Sequence, residues 1–137
     1  MTGKARFLLI TGSPNSYWQS ILSDALIPLG TLEATSEKDA VELVLRNTYD
    51  LIIVDATTVS GTPTLVTQMR SRRWDSRIVV ATDSPTWTRA REAFQAGATD
   101  YIRKFLDKEE LLAVLRIALA KVLPPWSRPQ NPKERTS

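Results

Sequence analysis

Asp55 and Thr82 end short runs rich in β-branched and leucine residues, Lys104 ends a briefer strand candidate, and together they offer a definite chemistry. A carboxylate, a hydroxyl and an ammonium converging on one crevice suit phosphoryl transfer. The carboxylate accepts the group, while the hydroxyl and the ammonium hydrogen-bond its oxygens. Taken singly, each has an ordinary explanation: an aspartate capping a loop, a threonine in a strand, a solvated lysine. Three neighbouring strand ends favour a shared site. The 137 residues contain no histidine and no cysteine. Imidazole acid–base chemistry, thiol chemistry and disulfides are therefore excluded, and carboxylates, hydroxyls, lysine and backbone amides remain.

Those strand ends need elements to position them. Residues 7–11 form an apolar run that stops at Gly12-Ser13-Pro14, which reads as a buried strand entering a turn. Trp18, Ile21, Leu22, Ala25 and Leu26 then recur at helical spacing, with Asn15 or Ser16 available as the cap and Pro28 and Gly30 closing the helix. Residues 31–35 are a weaker strand candidate. Ser36 with Asp39 resembles a capping box, ahead of an inward stripe of Ala40, Leu43 and Val44. Residues 51–54 read as a strand covered on both faces. A loop is expected over 59–63, a short helix over 64–72 with Leu65, Val66 and Met69 inward, and a strand over 77–82. Pro85 is expected in the first turn of the next helix, which Gly97 ends, with Phe94, like Trp18, in the core. A strand over 100–103 precedes a helix capped by Asp107, with Leu111, Leu112, Leu115, Ala118, Leu119 and Val122 inward and Pro124-Pro125 beyond.

Five strands alternating with five helices predict an α/β fold, a doubly wound five-stranded parallel sheet of the (βα)5 flavodoxin-like kind with helices on both faces. In such sheets the ligand site lies outside the carboxyl ends of the strands. Residues 11–16, 55–58, 82–84 and Lys104 are therefore the ones to examine. The pocket candidates are Thr11, Gly12, Ser13, Thr57 and Asp83, beside Asp55, Thr82 and Lys104.

The apolar fraction of 42% and the charged fraction of 24% suit one soluble globular domain. No apolar run reaches the roughly 18–20 residues of a membrane span. The run at 7–10 is too short for a signal peptide, so a cytoplasmic location without membrane contact is expected. Four of the 18 basic side chains (Lys121, Arg128, Lys133, Arg135) but one of the 15 acidic ones (Glu134) lie in 121–137, so the net charge of +3 belongs wholly to that end. A domain over 4–123 and a proline-rich basic tail or linker over 124–137 are expected. No helix-turn-helix pattern is present, and no direct DNA reading is expected.

The stretch Y-D-L-I-I-V-D, residues 49–55, and the stretch A-G-A-T-D-Y-I-R-K, residues 96–104, resemble two signatures of the response regulator receiver (CheY-like) family. The resemblance covers roughly 4–123, its most specific part being 97–104. It implies that Asp55 is the phospho-acceptor, Thr82 the switch hydroxyl, Lys104 the invariant lysine and Tyr101 the switch aromatic. It also implies a bacterial two-component signalling module that is not an enzyme and that meets a sensor kinase, an output domain or a second copy of itself. The contact face would be the last two helices and the strand between them, with Arg89, Arg91, Glu92, Tyr101, Arg103 and Arg116.

The family carries two or three acidic residues after the first strand, which bind magnesium together with the acceptor. Here F-L-L-I-T-G-S-P places Thr11, Gly12 and Ser13 there, and Phe105 follows Lys104 where the family has proline. Magnesium is a hard ion held through carboxylates. Asp55 alone is expected to bind it weakly or not at all unless Asp83 helps, and no cofactor is expected. The sequence therefore suggests an atypical receiver acting by protein–protein contact. A working phospho-accepting receiver is the first alternative. A small FMN or nucleotide binder of flavodoxin type is the second, with T-G-S-P-N-S as a phosphate loop and Trp18 and Trp87 beside the flavin.

Overall fold

The computed structural model describes residues 4–121. The elements in chain order are β1 (Ala5–Ile10), α1 (Tyr17–Leu26), β2 (Gly30–Thr35), α2 (Glu37–Arg46), β3 (Leu51–Asp55), α3 (Thr62–Arg72), β4 (Ile78–Thr82), α4 (Trp87–Ala96), β5 (Asp100–Arg103) and α5 (Lys108–Ala120). All strand pairings are parallel, and the strand order is β2-β1-β3-β4-β5. The order reverses between β1 and β3, so their carboxyl ends open a crevice, the place where such sheets bind ligands.

The central strands are apolar throughout because both of their faces are covered. Alternate residues of one strand serve opposite layers. Leu8, Ile10, Ile52, Val54, Ile78 and Val80 pack under α2, α3 and α4, whereas Phe7, Leu9, Leu51, Ile53, Val79 and Ala81 pack under α1 and α5. β2 lies at an edge and carries no fully buried residue, which explains its weak sequence signal.

Helix ends depart in detail from the sequence expectations. Ser16 caps α1, its hydroxyl accepting from Gln19 N at 3.1 Å. Ser36 stands at the N-cap of α2 but makes no cap bond; its hydroxyl donates to Asp39 Oδ2 at 3.4 Å. α3 starts at Thr62, two residues earlier than expected, because Pro63 needs no amide partner in a first turn. Thr86 caps α4, which leaves Pro85 ahead of the helix instead of inside its first turn. Gly97 ends α4 with φ 118°, and a Cβ there would meet Arg70 Cγ at 2.9 Å. That position needs glycine on both counts.

Two burial expectations fail. Phe94 is 46% exposed, because the α4 stripe turns toward the core through Ala93 alone. In α2 and α5, Leu43, Leu112 and Leu119 are half-buried at the margins of the core. Val122 and the expected tail over 124–137 lie outside the described residues.

Candidate functional site

The strand register brings the predicted residues together. β1 and β3 are adjacent, and so are β3 and β4 and then β4 and β5, so Thr11, Asp55, Thr82 and Lys104 emerge side by side. Asp55 pairs in register with Ala81, and Thr82 with Arg103.

Asp55 is 1% exposed, and both of its oxygens are occupied by protein donors. Oδ1 accepts from Lys104 Nζ at 2.8 Å and from the Thr57 amide at 3.2 Å. Oδ2 accepts from the Thr11 hydroxyl at 2.9 Å and from the Thr58 hydroxyl at 3.0 Å. Each of those hydroxyls is oriented by a backbone amide that donates to it: Ser13 N to Thr11 Oγ1 at 3.0 Å, and Gly12 N to Thr58 Oγ1 at 2.8 Å. With their lone pairs engaged by amides, the hydroxyl protons turn to the carboxylate. The charge is held by an ammonium, an amide and two hydroxyls, as burial of a charge requires.

Lys104 is fixed from its other side as well. Its Nζ lies 4.9 Å from the centre of the Trp18 ring, and the Trp18 indole donates to the Phe105 carbonyl at 3.1 Å. Trp18 is thus a core residue, as its helical spacing suggested, and also the platform on which the lysine rests. Thr82 is buried but makes no hydrogen bond with Asp55; its hydroxyl accepts from Ser84 N at 3.1 Å. Tyr101 is half-buried, and its hydroxyl accepts from Thr86 N at 3.4 Å. Asp83 is exposed. Its amide donates to Thr57 Oγ1 at 3.1 Å and its carboxylate accepts from the Ser84 hydroxyl at 3.1 Å.

Thr58 lies in the 55–58 stretch that the strand ends mark, but it is not among the named pocket candidates. It sits in a loop, where a hydroxyl leaves no periodic trace, and only its nearness to a strand-end carboxylate could have marked it.

The loop after β1 is occupied by its own contacts. The amides of Gly12, Ser13 and Asn15 go to Thr58, Thr11 and Gln19, and the Ser16 hydroxyl caps α1. Trp18 is buried under Lys104 while Trp87 is 77% exposed on α4. A flavin phosphate would find no spare amide donors at 12, 13 or 15, and the two indoles do not frame a common pocket.

Magnesium finds a poor donor set here. Among the described residues no three Asp, Glu, His or Cys side chains come together so that they could hold a metal. A Cβ on Gly12 would lie 2.7 Å from the Thr58 carbonyl oxygen, so the loop as packed has no room for a carboxylate there. The residues present do not fit the ion as a tight carboxylate site.

The fold, the strand-end aspartate and its paired lysine define a receiver. The family model for the response regulator receiver domain matches residues 16–116, and the chain belongs to that family, the signalling module of two-component systems. Such domains are generally not enzymes. Among characterised proteins, the response regulator ArlR of Staphylococcus saprophyticus is 35% identical over 86 residues, an alignment that takes in 61% of this chain and 38% of that protein. The chain thus spans well under half the length of that relative. An orphan response regulator of H. pylori shares 26% identity at a TM-score of 0.75, over 87% of this chain and 99% of that one. A structure described as an atypical orphan response regulator with a phosphorylation-independent regulatory mechanism shares 25% identity at a TM-score of 0.71, over 86% and 98%. A response regulator from Thermotoga maritima, at 19% identity and a TM-score of 0.77 over 87% and 100%, shares the fold. No helix of the described residues is long and apolar enough to cross a membrane.

Proposed function

We propose that this receiver is atypical: it works through protein–protein contacts, and Asp55 serves mainly as a buried anchor rather than as a magnesium-dependent phospho-acceptor. The observation that carries this reading is the double hydroxyl clamp on Asp55 Oδ2. Magnesium-assisted phosphoryl transfer needs a carboxylate oxygen turned toward a metal and a second carboxylate to share it. Here that oxygen is turned into a neutral clamp formed by Thr11 and Thr58. Lys104 holds the other oxygen, so Asp55 ties the loops after β1, β3 and β5 into one block. The likeness to regulators described as orphan, one of them as phosphorylation-independent, points the same way.

The partner face in this reading is the α4–β5–α5 surface. Trp87 is 77% exposed, Phe94 46% and Ile117 66%, with the Arg91 guanidinium 6.0 Å from the Trp87 ring. Exposed aromatics beside arginine are the usual anchors of a protein interface. A sensor kinase, an output domain or a second copy of the chain would meet that surface. A cytoplasmic setting follows from the same reading.

Trp18 provides the test, because its ring touches Lys104. Titration with magnesium chloride to millimolar concentration, against sodium chloride of equal ionic strength, is expected to leave the tryptophan emission and the melting temperature unchanged. A saturable change in both would show a metal site at Asp55 and overturn the anchor reading.

A further inference from the structure

We propose that the cavity between α4 and the loops that follow β3 and β4 binds a small neutral molecule with an apolar ring body and a carbonyl oxygen. The cavity measures about 460 Å³. That lies within the roughly 300–1,000 Å³ of small-molecule sites. Its floor is apolar and deeply buried: Val59, Val80 and Ala93 are each no more than 2% exposed. A flat apolar body would find there the contact area that drives binding.

The polar lining sets the other half of the ligand's chemistry. Thr57, Thr82 and Tyr101, each carrying a hydroxyl, line this space. Each accepts a backbone amide, from Asp83, Ser84 and Thr86 respectively. None donates its proton to a described residue. Three hydroxyl protons around one cavity call for an acceptor oxygen on the ligand. Asp83, Arg89 and Glu92 also line the space and form no ion pair among the described residues. Their charges sum to −1, which disfavours an anion and selects a carbonyl over a carboxylate.

The site adjoins the Asp55 clamp through Thr57, whose amide donates to Asp55 Oδ1, but it needs neither metal nor phosphoryl group. A ligand there would touch Thr82 and Tyr101 from inside while α4 presents Trp87 and Phe94 outside. Occupancy would thereby reach the exposed α4–β5 surface without chemistry at Asp55.

Coumarin, a neutral bicyclic lactone, and coumarin-3-carboxylate, its anionic relative, are the probes. ¹H–¹⁵N NMR of the full chain titrated with coumarin is expected to give saturable shifts confined to residues 56–63, 80–84, 89–93 and Tyr101, with weaker binding of the carboxylate. Thr82→Val, which removes one donor at nearly constant shape, is expected to weaken coumarin at least about threefold. Ala93→Leu, which fills the floor, is expected to abolish binding; should that variant fail to fold, Thr82→Val still decides. Absence of saturable shifts, binding unchanged in Thr82→Val, or a preference for the carboxylate would overturn the proposal.

Discussion

Lys104→Met is expected to lose about 3–5 kcal/mol of folding stability, the usual cost of removing one partner from a buried ion pair. The side chains of Asp55 and Lys104 are 2% and 11% exposed. Without the ammonium the carboxylate keeps the Thr57 amide and two hydroxyls, but its charge stays buried with no counter-charge. Methionine keeps an unbranched apolar side chain but removes the ammonium, so the loss includes its contact with the Trp18 ring as well as the ion pair. Asp55→Asn should cost less, because an unpaired lysine at the edge of the site can extend its ammonium toward water. The double variant should recover part of the Lys104→Met loss, a coupling of about 1–3 kcal/mol. Urea unfolding of the four proteins at constant m-value measures all of this. Equal losses in the two single variants, or a Lys104→Met loss below about 1 kcal/mol, would mean that Asp55 does not depend on the lysine as an anchor.

Thr11→Asp is expected to convert the clamp into a metal site. Without divalent ions it replaces a hydroxyl donor, 2.9 Å from Asp55 Oδ2, by a second carboxylate. A lost hydrogen bond to a charged group and like-charge repulsion together should cost at least about 2 kcal/mol. Magnesium then neutralises the pair. At a concentration about 100-fold above its dissociation constant it should return about 2.7 kcal/mol. The melting temperature of this variant should therefore climb with magnesium, while that of the unaltered chain stays level. Thr11→Val separates the two effects: it loses the hydroxyl and gains no response to the ion. Thr11 is the natural place for the change, since a side chain at position 12 would meet the Thr58 carbonyl.

Most of the architecture was legible because it rests on long-range regularities of residue type. The runs L-L-I, L-I-I-V and I-V-V-A carry the signature of strands covered on both faces, and their alternation with amphipathic stretches points to a doubly wound parallel sheet. What escaped was local. Pro63 and Pro85 sit near helix starts in equivalent-looking contexts, yet one lies inside its helix and the other ahead of a threonine cap. The choice depends on which neighbour can cap, a matter of a single hydrogen bond. Phe94 falls on the apolar stripe of α4 but is exposed, since a helix packed through one small residue turns its larger ones outward.

At the site, the sequence located Asp55, Thr82 and Lys104 through strand ends, and the register explains why that inference was available. It did not show that the Thr82 hydroxyl pairs with the Ser84 amide instead of Asp55, nor that Thr11 and Thr58 close on the same carboxylate oxygen. Both facts depend on loop paths, which carry no periodic signal. Trp18 illustrates the same limit. Its spacing marks it as core, and only the structure shows the ring lying against Lys104.

The most direct measurement is ¹H–¹⁵N NMR of the chain with beryllium fluoride and magnesium, alongside Asp55→Asn. That complex mimics an aspartyl phosphate and needs an accessible carboxylate and normally a metal beside it. An unchanged spectrum at millimolar ligand is the outcome predicted by a carboxylate already clamped by Thr11, Thr58, Thr57 and Lys104. Saturable shifts at Thr11, Asp55, Thr82 and Lys104, absent in Asp55→Asn, would show that the clamp opens and that the receiver still takes a phosphoryl group.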